Sequence, residues 1–259
     1  MGILKIAKIK YTDSAKAEWN RRTAQITATK TEGVVLSDIF EKYLPKSKQL
    51  TCIEIGSVPG NFLTYFYHKF GYQITGIDFS DNSKLFHETM KKNGIKNYKF
   101  INDEFLGHKF TGMYDVVTSF GFIEHFDDTL EVLGKHVDLV KPGGYLAITI
   151  PNFRFLQYLY HSYFDRNNLE IHNLKSMHIG YLKRYLKRRG LNKIVAGYFG
   201  NLSVWRQEEE LDLKKLRMIN AIHRWVSRNG KNLPNSRLYS PYILLIYKKP
   251  ERHSYEKNE

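Results

Sequence analysis

Residues 51–63 read Thr-Cys-Ile-Glu-Ile-Gly-Ser-Val-Pro-Gly-Asn-Phe-Leu, and no other stretch limits the possible folds as much. An apolar run of buried-strand character breaks at Gly56 and turns through Pro59 and Gly60. It resumes at the helical spacing of Phe62, Leu63, Phe66 and Phe70, up to Gly71. A second apolar run, 73–78, ends in the acid Asp78. Glycines in a strand-to-helix loop let the backbone approach a ligand closely, and an acid closing the next strand can hold a ribose hydroxyl pair. Ser57, Val58 and Pro59 separate Gly56 from Gly60, so the loop lacks the Gly-x-Gly-x-x-Gly spacing of a dinucleotide site. Glu54 would also repel a diphosphate, whereas it suits a ligand with an ammonium group and a sulfonium. These residues predict a nucleoside-containing cofactor.

From 51 to 151 the pattern alternates. Strands are expected at 51–55, 73–78, 97–101, 114–119 and 145–150, and helices at 61–70, 81–92 and 128–140. Such alternation implies right-handed crossovers and a parallel sheet with helices on both faces, ligands binding at the carboxyl ends of the strands. Gly56, Asp78, Asp103 and residues 119–125 all fall at those ends. A helix at 34–44 with one apolar stripe is stopped by Pro45. Beyond Pro151, helices are expected at 153–164 and 179–189, a strand at 193–199, a basic helix at 206–228 and a last strand at 242–248.

The motifs follow the order found in the class I S-adenosylmethionine-dependent methyltransferases, which the chain resembles over roughly residues 35–250. Glu54, Gly56 and Gly60 match that family's acidic-x-Gly-x-Gly-x-Gly motif, with Val58 in place of the middle glycine. Asp78 matches its ribose-binding acid, Asn102 to Phe105 follow a third strand where it places adenine contacts, and residues 113–126 look like its fourth strand and the loop beyond. Residues 139–146, Leu-Val-Lys-Pro-Gly-Gly-Tyr-Leu, resemble the turn into its fifth strand. The resemblance implies an α/β fold: a Rossmann-like, mostly parallel seven-stranded sheet, last strand antiparallel, with helical insertions after strands 5 and 6. It implies S-adenosylmethionine as cofactor, with S-adenosylhomocysteine as product. Glu54, Gly56, Ser57, Gly60 and Asn61 would hold it from the first loop, and Asp78, Phe79 and Ser80 from the second strand end. Asp103, Glu104 and Phe105 would contribute from the third, and Ser119 and Phe120 from the fourth. Removing the Asp78 carboxyl is expected to weaken cofactor binding with little effect on folding. In relatives an N-terminal segment folds over the cofactor, a role that falls here to Trp19 and Arg22 in an arm of residues 1–30. Residues 31–259 would form one domain, with acceptor-binding insertions at about 152–190 and 201–238.

A chain of 259 residues with 42% hydrophobic content can build a substantial core. The single cysteine, Cys52, lies in the first strand and reads as a small buried hydrophobe, so no internal disulfide is possible. No apolar run reaches signal-peptide or membrane-span length, and a cytoplasmic location is expected. The formal charge of +14 invites a polyanion partner, although a lysine-rich composition on solvated faces accounts for most of it. Basic residues cluster at 183–193 and again from Arg206, beside Trp205, to Lys231. Nucleic acid is not expected, because Ser119-Phe120-Gly121-Phe122 lacks the Pro-Pro-Tyr or Pro-Pro-Phe type motif of RNA-modifying relatives. A phosphate-bearing acceptor and peripheral contact with an anionic membrane stay open.

Methyl transfer from a sulfonium needs an acceptor atom aligned with the methyl group and, for a hydroxyl, a base to take its proton. His125, in the loop after the fourth strand, is the first candidate, with His172 and His178 as alternatives in the acceptor region. Some relatives carry Glu-x-x-Glu-His in this loop and bind a divalent ion. Glu124 and His125 match its end but Gly121 replaces its first Glu, so no metal is expected. Asp127 and Asp128 read as caps of the following helix. Aromatic residues such as Phe153, Tyr158 and Tyr163 are mostly core by their helical spacing, with a subset able to wall a sugar, aromatic or lipid acceptor, and Ile150-Pro151-Asn152 with the later His172-Asn173 looks like methyltransferases of surface-polysaccharide and small-molecule biosynthesis. The expected reaction is O-methylation of a sugar or nucleotide-linked sugar. The alternatives are a membrane-lipid or quinone methyltransferase, an RNA methyltransferase, or a protein that binds the cofactor without turnover.

Overall fold

The computed structural model describes residues 13–204 and 212–251; Trp205, Arg206 and the start of the arm lie outside them. Helices α1 (Asp13–Gln25) and α2 (Ser37–Tyr43) precede the crossover series. That series runs β1 (Thr51–Ile55), α3 (Asn61–Phe70), β2 (Gln73–Asp78), α4 (Ser83–Lys92), β3 (Lys99–Asn102), β4 (Tyr114–Phe120), α5 (Thr129–Leu139) and β5 (Val140–Pro151). Helices α6 (Leu156–Phe164), α7 (Arg166–Glu170) and α8 (Ile179–Arg188) separate β5 from β6 (Asn192–Phe199). Helix α9 (Leu213–Asn229) separates β6 from β7 (Tyr242–Lys248).

The seven strands form one sheet in the order β3-β2-β1-β4-β5-β7-β6, and only β7 runs antiparallel to its neighbours. This is the expected Rossmann-like arrangement. Its register aligns the strand ends: Ile55 pairs with Ile77 and Ser119, Asp78 with Asn102, and Phe120 with Thr149. Apolar layers cover both faces. Alternate residues of β7 serve each, Ile243 and Leu245 joining α5 and α8, Leu244 and Ile246 joining α2, α3 and α4. A strand buried on both sides reads as an unbroken apolar run, as 243–246 does. Cys52 is free and fully buried in this core.

Local chemistry sets the boundaries. Gly71 ends α3 at φ 80°, its N–H donating to the Tyr67 carbonyl at 3.1 Å. The Asp128 carboxylate caps α5 by accepting from Glu131 N–H at 3.0 Å, as the acids before that helix suggest. Several elements start elsewhere than expected. Leu36 at φ 62° delays α2, and Phe155 at φ 52° delays α6, since neither conformation can continue a right-handed helix. Strand β5 begins at Val140, which pairs with Tyr114; the Lys-Pro-Gly-Gly residues then bulge out of register before Tyr145 pairs with Val116. Among the described residues no helix is long and apolar enough to cross a membrane.

Candidate active site

The loop from β1 to α3 is built on two left-handed glycines. Gly56 has φ 73°, and a Cβ there would lie 2.6 Å from Phe122 Cδ2; Gly60 has φ 101°. Val58, at the middle-glycine position, is 2% exposed and packs into the apolar core with Leu63 and Phe86, so its side chain stays out of the loop mouth. Its N–H donates to Asp78 Oδ2 at 2.9 Å, while Ser80 N–H donates to Oδ1 at 2.8 Å. The Phe79 N–H and the Trp19 indole N–H also favour its charged form. Burial raises the Asp78 pKa to about 6, against the pull of those donors.

Helix α1 lies over the ends of β2 and β3. Thr23 Oγ1 meets Ser80 Oγ at 3.3 Å, and Asn20 Nδ2 donates to Asp81 Oδ2 at 2.7 Å. Lys16 pairs with Glu104. At the ends of β1 and β4, Glu54 Oε2, Ser57 Oγ and Ser119 Oγ are buried and have no protein hydrogen-bond partner. Burial pushes the Glu54 pKa well up, and Asp78 adds to this. Orphaned polar atoms at adjoining strand ends suit a ligand that supplies both donors and acceptors.

Beyond β4, Phe120 stacks on Phe62 at 3.8 Å and walls a cleft of about 180 Å³ that also takes in Trp19, Arg22, Glu124, His125 and His172. His125 Nδ1 lies 3.0 Å from the Ile171 carbonyl, and His172 Nδ1 contacts the Asn168 carbonyl. A carbonyl only accepts, so both rings carry the proton on Nδ1 and the lone pair on Nε2. The rings are 4.5 Å apart. Burial lowers the His125 pKa to about 4, with the Arg22 charge adding to it. Burial and then His125 push His172 well down. Glu124 is fully buried, neither carboxylate oxygen has a protein partner, and burial raises its pKa to about 8.

The methyltransferase-domain family matches residues 28–196, more than half of the chain. The chain belongs to this family. Its methyl donor is S-adenosylmethionine, whose sulfonium supplies an electrophilic methyl group when bound. Ubiquinone biosynthesis O-methyltransferase of Bordetella pertussis is 34% identical over 84 residues, 32% of this chain and 35% of that protein. The enzyme of the same name from Coxiella burnetii is 28% identical over 155 residues, 58% of this chain and 64% of that one. The matches thus span less than two thirds of these relatives. In fold the methyltransferase resembles phosphoethanolamine N-methyltransferase 2 of Haemonchus contortus with bound S-adenosylmethionine: TM-score 0.60, 17% identity, 93% of this chain, 58% of that one. A SAM-dependent methyltransferase from Archaeoglobus fulgidus gives TM-score 0.53 at 21% identity, covering 82% of this chain and 92% of that one.

The methyltransferase gathers most of the residues expected at its site along one edge of the sheet. Asn61 begins α3, where its Oδ1 accepts from the Thr31 hydroxyl at 3.3 Å, and Asp103 extends from β3 with its N–H on the Asp78 carbonyl. Phe105 is instead in the core, its ring 4.8 Å from His136 and 5.9 Å from Phe122, because the chain turns inward after exposed Glu104. His178 is not with the other histidines. It is exposed, pairs with Arg154 at 2.7 Å and borders a separate cleft with Asp128 and Arg184. Glu124 is the residue that the sequence undervalued. Gly121 breaks the expected metal motif, but His172 arrives from the segment after β5. Glu124, His125 and His172 place their ligand atoms within 4.8 Å of one another, a set that could hold a divalent cation.

Proposed function

We propose that this methyltransferase transfers the methyl group to a hydroxyl of a ring-sized acceptor bound in the cleft beside Phe120. The observation that carries this reading is the Glu124 carboxylate, buried without a protein partner and facing two neutral imidazoles. The acceptor hydroxyl donates to His125 Nε2 and accepts from the Glu124 carboxyl, which burial keeps protonated near neutral pH, and so is held in line with the methyl carbon. The Nε2 lone pair of His125 takes the proton as the oxygen is alkylated, with His172 beside it keeping that side of the cleft uncharged. A divalent cation held by Glu124, His125 and His172 would take up the His125 lone pair and, in place of that base, would supply orientation and acidity to two adjacent hydroxyls. Trp19 and Arg22 close the cleft from α1 and exclude water.

A phenolic ring with adjacent hydroxyls, of the quinone-precursor type, is the acceptor we favour. It fits a cleft of about 180 Å³ walled by Phe120, Pro151 and Ile171, and the Bordetella and Coxiella relatives are named for ubiquinone biosynthesis. A sugar or nucleotide-linked sugar is the second reading, supported by the Arg22 guanidinium at the cleft, which suits a phosphate. Purified protein with methyl-labelled S-adenosylmethionine, offered a catechol acid in one arm and a set of nucleotide sugars in the other, tests both. Label in the catechol supports the favoured reading, and label in a nucleotide sugar replaces it with the second. Label in neither, with the donor bound, overturns both acceptor classes.

A further inference from the structure

The outer faces of α6 and α9 take no part in the site described above. Helix α6 contains no Asp, Glu, Lys or Arg. On its solvent side Leu156, Leu159 and Tyr163 are 46%, 64% and 49% exposed and share one stripe. Helix α9 carries Lys214, Lys215, Arg217, Arg224 and Arg228 and no acid. Its outer face presents Met218 and Trp225, seven positions and hence two turns apart, with exposed Lys214, Arg217, Arg224 and Arg228 around them. The two faces form one surface. Tyr160, Phe164 and Ile219 make a small apolar cluster between the helices, and Tyr160 Oη lies 2.9 Å from His223 Nε2. The Lys215 ammonium sits 5.1 Å from the centre of the Tyr163 ring. At the foot of α6, Phe155 is held at φ 52° with its ring between the Arg154 and Arg237 guanidiniums, 5.3 and 5.5 Å away. A bulky residue held in the left-handed region needs its surroundings to keep it there, and here the strain keeps an aromatic ring exposed beside two cations.

We propose that the α6–α9 face docks the protein onto an anionic lipid bilayer. An apolar centre with Trp and Tyr, rimmed by Lys and Arg and free of acids on both helices, matches the two layers such a surface offers. The rings and Leu159 meet the interfacial region and the cations meet lipid phosphates. A second copy of this chain is a poor occupant, because pairing the face with itself would set five α9 cations against the same five. The docking does not depend on which acceptor the cleft takes.

Sedimentation of the full chain with vesicles tests this, using phosphatidylcholine alone and phosphatidylcholine with about one third phosphatidylglycerol, at low and high salt. We expect at least about tenfold more protein on the anionic vesicles at low salt, falling toward the neutral level at high salt. Arg217→Glu with Arg224→Glu, and separately Leu159→Ser, should each lower that binding about tenfold while S-adenosylmethionine affinity, read by calorimetry without lipid, stays as in the wild type. As a check that does not rest on those variants, brominated acyl chains should quench wild-type fluorescence, and Trp225→Phe should lose most of that quenching. Binding to neither vesicle, equal binding to both, undiminished binding of the folded variants, or a concentration-dependent dimer that the variants abolish would each overturn the proposal.

Discussion

Asp78→Asn separates what this carboxylate does for the fold from what it does for the cofactor. Burial raises its pKa from 3.8 to about 6. The native chain therefore binds the proton more tightly than the unfolded chain. The group's contribution to stability is complete below pH 3.8 and is lost as pH rises through about 6. The loss amounts to about 3 kcal/mol, from roughly 2.2 units at 1.36 kcal/mol each. Asn has nearly the same shape, never ionises, and keeps one oxygen for one of the two backbone donors, as the protonated acid does. Urea unfolding should find the variant within about 1 kcal/mol of wild type at pH 4 and more stable by up to about 3 kcal/mol at pH 8. The ribose, by contrast, loses a charge-assisted hydrogen bond of about 1.5–3 kcal/mol, so calorimetry should show S-adenosylmethionine binding roughly 10- to 100-fold weaker. A stability gap that closes or reverses between pH 4 and 8 would refute the burial argument, and a Kd within about threefold of wild type would refute the ribose assignment. Asp78→Ala is a different perturbation. It strips both Val58 and Ser80 N–H of an acceptor, so folding is not spared as the sequence alone suggests.

Other residues give sharper yes-or-no outcomes. Gly56→Ala combines φ 73° with a Cβ 2.6 Å from Phe122, and thermal unfolding should show a loss of about 2 kcal/mol or more together with weaker cofactor binding. Val58→Gly restores the family's middle glycine but empties a buried core position. Stability should drop by about 1.5–3 kcal/mol with no gain in S-adenosylmethionine affinity by calorimetry. Once an acceptor is in hand, His125→Ala should cut kcat by about 10²- to 10⁴-fold at unchanged cofactor Kd, whereas His178→Ala, exposed and in another cleft, should leave kcat as it is.

The sheet was legible in the sequence because its signals are local. Each apolar run, its closing Gly or Asp, and the helix that follows lie within a few turns of one another, and right-handed crossovers fix most of the strand order from there. The cofactor edge follows from the same logic, since Gly56, Asp78 and Ser119 all end strands. Contacts between distant segments were not legible. Nothing near His172 says that its ring will lie against His125, because α6 and α7 must first fold back across the end of β5. Glu124 sits between Ile123 and His125 in a short turn, and its burial becomes visible only once Asn173 N–H closes on its carbonyl at 2.7 Å. Phe105 and Phe155 show the converse error. The resemblance puts Phe105 at the cofactor and apolar spacing puts Phe155 in a helix, yet a backbone turn sends the first into the core and the second out into solvent.

The Asp78 carboxylate receives one backbone N–H on each oxygen, from Val58 and Ser80. Two carboxylate oxygens offer about four lone-pair positions, so a position stays open on each. Both donors belong to the loops that follow β1 and β2, so one side chain ties the two turns together and is itself held still. A diol arriving there would meet an acceptor already aimed, with no side chain left to order.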